Sequence, residues 1–119
     1  MPLITLITNL DQPRLFISKF SKFCSQTIGK PEAEFSVDFN YNPDLTFGGT
    51  FDPAIRLHVI SLWNTTPENA QQWAEAFFRF FQDELGVPSN RGHMAFTDPG
   101  DQFIGYGGTT VSVLRAEKK

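Results

Sequence analysis

The period of apolar and polar positions changes several times along the chain, and each change marks an element. Residues 1–8 are apolar on both alternating faces, with Leu3 and Ile7 on one side and Ile4 and Leu6 on the other. Such a run predicts a central strand buried on both sides. Pro2 stands at its first position, where a missing N–H removes no ladder bond. After Thr8-Asn9 the period becomes helical: Phe16, Phe20, Phe23, Cys24 and Ile28 form one apolar stripe. Asp11 or Gln12 supplies the expected cap, with Pro13 in the first turn. Gly29 closes this helix and Pro31 stops its continuation. Strict alternation follows, with Phe35, Val37, Phe39 and Tyr41 on one face and Ser36, Asp38 and Asn40 on the other. That is a half-buried strand. Asn42-Pro43-Asp44 is a turn, and Leu45 to Gly49 reads as a short strand with a flexible exit.

The second half repeats the first. Ile55 to Trp63 predicts a strand with Ile55, Leu57, Val59, Ser61 and Trp63 on one face. Asn64-Thr65-Thr66-Pro67 is again a cap followed by proline. Ala70, Trp73, Ala74, Phe77, Phe78, Phe81 and Leu85 then mark a longer helix, ended by Gly86 and Pro88. The chain therefore reads as an α+β domain of two tandem βαβ units, spanning residues 1–119, with 112–119 as a polar C-terminal tail. Crossover helices imply parallel pairing within each unit. Together the units form a four-stranded mixed sheet with both helices on one face. The other face is expected to be apolar and uncovered, with Phe47, Phe103, Ile104 and Tyr106 on short glycine-rich edges. A symmetric oligomer would cover it.

Composition narrows the function classes. A chain of 119 residues is one domain with room for a core. Its 13 phenylalanines must enter that core or an interface. A net charge of -3 gives no footprint for nucleic acid. The single cysteine, Cys24, excludes an internal disulfide framework and a cysteine-based zinc cluster. His58 and His93 lie far apart without an acidic neighbour, so neither a metal nor a cofactor is expected. No run reaches transmembrane length and no secretory signal opens the chain, so membrane insertion is not expected. The default location is cytoplasmic, and export would use a non-classical route.

The first strand also carries candidate chemistry. Met1 before a small Pro2 suits removal by methionine aminopeptidase, which would leave a secondary amine fixed by a buried strand. A neutral prolyl nitrogen has a lone pair and cannot swing away, as a positioned base requires. From this stretch alone, Pro2 either does this or only starts a strand. Lys30, from its position alone, reads as an ordinary cation at a helix C-terminus.

Several short motifs occur in a familiar order: Met-Pro-(apolar)-Thr-Asn over 1–9, Gly29-Lys30-Pro31, Phe47-Gly48-Gly49, Asp52-Pro53 and Ile104-Gly105-Tyr106. In this the chain resembles the macrophage migration inhibitory factor and D-dopachrome tautomerase family, from Pro2 to about Val111, with a polar end like that of some nematode members. The resemblance implies a tautomerase-like homotrimer with helices outside. It implies a keto–enol tautomerase of phenylpyruvate or dopachrome type, a cytokine role, and a host cell-surface receptor as candidate partner. Pro2 matches the catalytic base, and Lys30 the pocket lysine that binds the carboxylate of a small aromatic 2-keto acid. Leu62 occupies the position whose backbone N–H assists, preceded by Ser61 as in the family. Ile104, Tyr106 and Val111 match the apolar wall. The pattern is broken at Glu34, where the family has a tyrosine at the pocket rim. It is broken again at Ala95, where a neighbouring subunit supplies an asparagine, and at His93, where the family has a tyrosine. The implied activity is therefore weak or altered; the alternative is a non-catalytic trimeric signalling or structural protein.

Overall fold

Strand β1 (Leu3–Thr8) forms the middle of the sheet, and helix α1 (Arg14–Ile28) follows it. Strand β2 (Ser36–Tyr41) returns parallel to β1, with Leu3 opposite Ser36 and Thr8 opposite Tyr41. Strand β3 (Ile55–Ile60) pairs antiparallel on the other side of β1. Helix α2 (Pro67–Leu85) then crosses over to strand β4 (Gly92–Thr97), which lies parallel to β3. The order is β2-β1-β3-β4. This is the mixed four-stranded sheet of two βαβ units that the sequence predicts. A hairpin of β5 (Gly105–Tyr106) and β6 (Thr109–Thr110) pairs only with itself, and helix α3 (Val111–Glu117) ends the fold. These features come from a computed structural model, which describes residues 1–118.

Both crossover helices lie on one face because both carry aromatic stripes with only one place to go. Ile4, Leu6, Ile55, Leu57 and Val59 are buried from the sheet side. Phe20 meets them fully buried, its ring centre 6.1 Å from Phe77 and 5.6 Å from Phe81. Phe23 stacks on Phe80 at 4.3 Å. Each such ring removes well over 100 Å² of apolar surface from water, and tilted contacts between rings add about 1 kcal/mol apiece. Phe80 thus points into the core, where the sequence pattern had put Phe78; Phe78 is half-buried.

Other departures have local causes. Helix α1 is capped by Pro13 itself, with no side-chain bond from Asp11 or Gln12. The expected strand over 45–49 shrinks to one bridge, Phe47 to Thr50, because Gly48 and Gly49 turn the chain at φ 60° and 76°. Strand β3 stops at Ile60, and Trp63 leaves the extended region altogether. The polar tail is largely helical: Thr110 Oγ1 accepts from the Val113 N–H at 3.4 Å, and Val111 is buried. The last residue of that predicted tail, Lys119, lies outside the described residues.

The open face of the sheet is mixed rather than apolar. Leu3, Ile7 and Ile60 share it with Ser36, Asp38, Asn40, Arg56 and His58, as the register requires. In β2, and for the large apolar residues of β4 and most of β3, the apolar positions take the helix side, while Ala95 and Ile60 lie on the open face. The glycine-rich aromatics stand off the sheet: Phe103 lies in a 3₁₀ turn (Asp101–Phe103) and Tyr106 in the β5–β6 hairpin, and both are exposed.

Gly92 shows how closely β3 and β4 approach. A Cβ there would stand 2.6 Å from Ile55 Cδ1 and 2.9 Å from the Ile55 carbonyl oxygen. Part of that obstacle is backbone and cannot rotate away. Gly92→Ala should therefore destabilise the fold by about 1–3 kcal/mol, read as a lower urea midpoint with an unchanged slope; an unchanged midpoint would show that the strands can part freely.

Candidate functional site

Pro2 is fully buried at the start of β1, and its carbonyl accepts from the Ser36 N–H at 3.1 Å. That bond begins the β1–β2 ladder, so the ring is fixed from its C-terminal side. Met1 precedes it and lies where two clefts meet. The larger, of about 300 Å³, includes Lys30, Trp63, Val111 and Arg115 in its wall. The smaller, of about 230 Å³, includes Pro2, Phe35 and Ile104. Met1, Glu34 and Tyr106 line both.

Lys30 enters from the turn after α1. Gly29 ends that helix at φ 83°, and Ser25 Oγ donates to the Lys30 carbonyl at 2.6 Å. The side chain then reaches the β3–α2 loop, where Nζ donates to the Leu62 carbonyl at 2.6 Å. Burial holds the Lys30 pKa below its ordinary value, against Glu34 and Asp98, whose charges favour the cation. The Met1 amine is shifted down for the same first reason, burial, then by the like charge of Lys30, with Glu34 opposing. A positive group at this end of β1 is thus destabilised by the fold itself.

Trp63 forms the wall opposite. It is the only non-glycine among the described residues with positive φ, 72°. For a bulky side chain that is a real outlier, costing of order 1–3 kcal/mol. Asp98 Oδ2 accepts from its backbone N–H at 2.9 Å and holds it there. Lys30 Nζ stands 5.5 Å from the ring centre and Arg115 Cζ 4.7 Å, both within cation–π range. Arg115 is anchored in turn by Asp101 at 2.6 Å. The β5–β6 hairpin closes the site, as the Val111 N–H donates to the Ile104 carbonyl at 2.8 Å.

The family model described as macrophage migration inhibitory factor matches residues 1–112. The chain belongs to the macrophage migration inhibitory factor family. It is 33% identical over 113 residues to a family homolog of Trichuris trichiura, covering 92% of this chain and 99% of that one. It is 29% identical over 118 residues to a Xenopus laevis protein named D-dopachrome decarboxylase-B, covering 96% and 100%. Its fold matches the structure of the macrophage migration inhibitory factor of Trichinella spiralis with a TM-score of 0.84 at 28% identity, over 91% of this chain and 98% of that one.

Of the residues singled out in the sequence of this family member, Pro2, Lys30, Glu34, Ile104, Tyr106 and Val111 come together around the two clefts. Leu62 is buried behind them and touches the site through its carbonyl. Ser61 lines neither cleft; its hydroxyl donates to Asn64 Oδ1 at 2.6 Å and holds the loop before α2. His93 and Ala95 sit on β4, away from both clefts; His93 lies 4.9 Å from the Phe47 ring. Sequence reasoning missed Trp63 by extending β3 through it. It missed Arg115 and Leu114 by reading a tail, although Thr110 with Val111 and Leu114 has the cap and spacing of a short helix. Among the described residues no cluster of three or more metal-ligating side chains forms.

These charges make a direct test. Lys30→Met should raise the pKa of the N-terminal amine, and Glu34→Gln should lower it further, when the labelled terminal residue is titrated by NMR. Shifts of the opposite sign would show that these two side chains do not face the amine.

Proposed function

We propose that this family member is a cytokine-type homologue with weak or altered keto–enol tautomerase activity, in which removal of Met1 makes Pro2 the base. The observation that carries the reading is a buried, strand-fixed Pro2 on one cleft and Lys30 on the adjoining one, the two meeting at Met1, Glu34 and Tyr106. The 2-keto acid places its carboxylate on the Lys30 ammonium. The neutral Pro2 nitrogen takes a proton from the carbon next to the keto group, and the electron pair left behind moves onto the keto oxygen. The prolinium, or water, then supplies the proton that completes the enol. A relative named for dopachrome chemistry supports an aromatic substrate class.

Two features weaken the activity. Glu34 puts a carboxylate on the rim of a site for an anion, and its charge, which opposes the lowering of the Met1 amine, would likewise favour the protonated form of a Pro2 amine. Exposure of Glu34 lets salt screen both effects. A second reading, a trimeric signalling or structural protein without catalysis, is favoured if Met1 stays, since Met1 lines both clefts. Receptor binding and non-classical secretion belong to either reading.

Mass spectrometry of the mature N-terminus alongside a phenylpyruvate assay separates the two. With Met1 removed, kcat/KM should rise with pH as the Pro2 amine loses its proton and then level off. Positioned acid–base catalysis contributes about 10²–10⁴-fold, so Pro2→Gly should lower kcat/KM by at least about a hundredfold. An unchanged rate would place the chemistry elsewhere.

Assembly has its own measurement. Leu3, Phe51, Phe103 and Tyr106 are exposed in one chain, and we propose that a homotrimer covers them. Sedimentation equilibrium should give three times the 13.4 kDa chain mass; a monomer at micromolar concentration would refute the trimer.

A further inference from the structure

The geometry points to Trp63 as the residue that makes the Lys30 cleft selective for carboxylates bearing an aromatic ring. The inference rests on the proposed reading for the cleft being the ligand site, but not on turnover. Three observations converge on this side chain. It holds a left-handed backbone conformation that tryptophan rarely adopts. It gains little burial by doing so, since 54% of it is exposed. The Asp98 carboxylate fixes its backbone N–H, and its ring is flanked by the cations of Lys30 and Arg115 at 5.5 Å and 4.7 Å. A strained, half-exposed indole has no packing reason to be where it is. Its position at the cleft supplies one.

The chemistry of the ligand follows from what surrounds the ring. Among the described residues Lys30 forms no ion pair, and its ammonium bonds only the Leu62 carbonyl. Arg115, by contrast, is neutralised by Asp101. An incoming carboxylate therefore goes to Lys30. The next atoms of that molecule then lie within a few ångströms of the indole, with Tyr106 and Val111 on the same cleft. Aromatic rings brought to such a place prefer offset or edge-to-face contact, and they gain more there than an alkyl chain of similar area. The carboxylate gives attachment, and Trp63 reads what it is attached to.

The test uses ligands that cannot react, so that it stands apart from the tautomerase assay. Calorimetry would compare 3-phenylpropanoate with hexanoate on the mature protein. Wild type should bind the aryl acid about tenfold more tightly, the worth of a favourable ring contact. Trp63→Gly, which relieves the positive φ and so should fold as well as wild type, should bring the two affinities within about threefold, chiefly by weakening the aryl acid. Trp63→Phe should restore most of the preference. Quenching of Trp63 fluorescence by the aryl acid should accompany binding, the only other tryptophan, Trp73, being buried in α2. The inference is overturned if the ratio survives in Trp63→Gly, if wild type shows no aryl preference or no binding, or if both acids weaken equally. The last result would make Trp63 only a support for Lys30. A protein that binds the aryl acid through Trp63 yet leaves phenylpyruvate unchanged would refute the proposed catalysis and keep this inference.

Discussion

Strand β1 is hydrogen-bonded along both edges and covered by helices on one face, and nearly everything else takes its position from that constraint. Its register with β2 and β3 sets which side chains meet the helices. Because Ile4, Leu6 and Thr8 point to the helix side, α1 and α2 have one place to bury their phenylalanines. Thr8 is a polar group in that core, and its hydroxyl donates to the Ala54 carbonyl at 2.8 Å, leaving no unpaired oxygen there. Asn9 continues the same work at the strand end, bonding the Asp52 carbonyl at 2.9 Å and the Ala54 N–H at 3.0 Å. The far end of the strand carries Pro2. A residue that cannot donate to the ladder is placed where the ladder begins, and the same burial that fixes the ring makes its surroundings poor in water.

The pattern of the sequence made the sheet, both crossover helices and the cleft residues of the first strand and first turn legible. Period-two and period-3.6 stripes are strong signals when the residues are phenylalanine, isoleucine and valine, and the repeated proline–stripe–glycine order gave the duplication. The signal failed where backbone conformation departs from the trend of the side chains. Trp63 continued the apolar alternation of β3 on paper, yet in the fold it turns through φ 72° with an aspartate from another loop holding its N–H. Nothing local in the sequence announces an acceptor 35 residues away. Helix α3 failed for the opposite reason: its charged residues outweighed a short apolar face, Val111 and Leu114, whose partner is a cleft rather than a core.

The apolar reading of the open sheet face erred in a different way. Periodicity tells which residues share a face, but not whether that face must be dry. Arg56, His58 and Asp38 on the open side belong to a surface that tolerates charge, and His58 bonds Thr97 across to β4 at 3.0 Å. On that face, among the described residues, only Leu3 is a large exposed apolar residue, and more strongly exposed aromatics stand off the sheet, on Phe51, Phe103 and Tyr106.

The electrostatics of the cleft show which force sets its chemistry. Three charges lie near the N-terminus: Lys30 at close range, Glu34 opposing it, and Arg115 tied to Asp101. Were Coulomb effects dominant, Lys30 and Glu34 would largely cancel, since both act through the same partly solvated space. Burial has no such opponent. It is the first cause of the lowered pKa of both the terminal amine and Lys30, and it comes from the position of the two groups against β1 and the Leu62 loop. Exchanging a rim residue such as Glu34 therefore adjusts the site, while the property that would let a nitrogen here act as a base is written into the strand order itself.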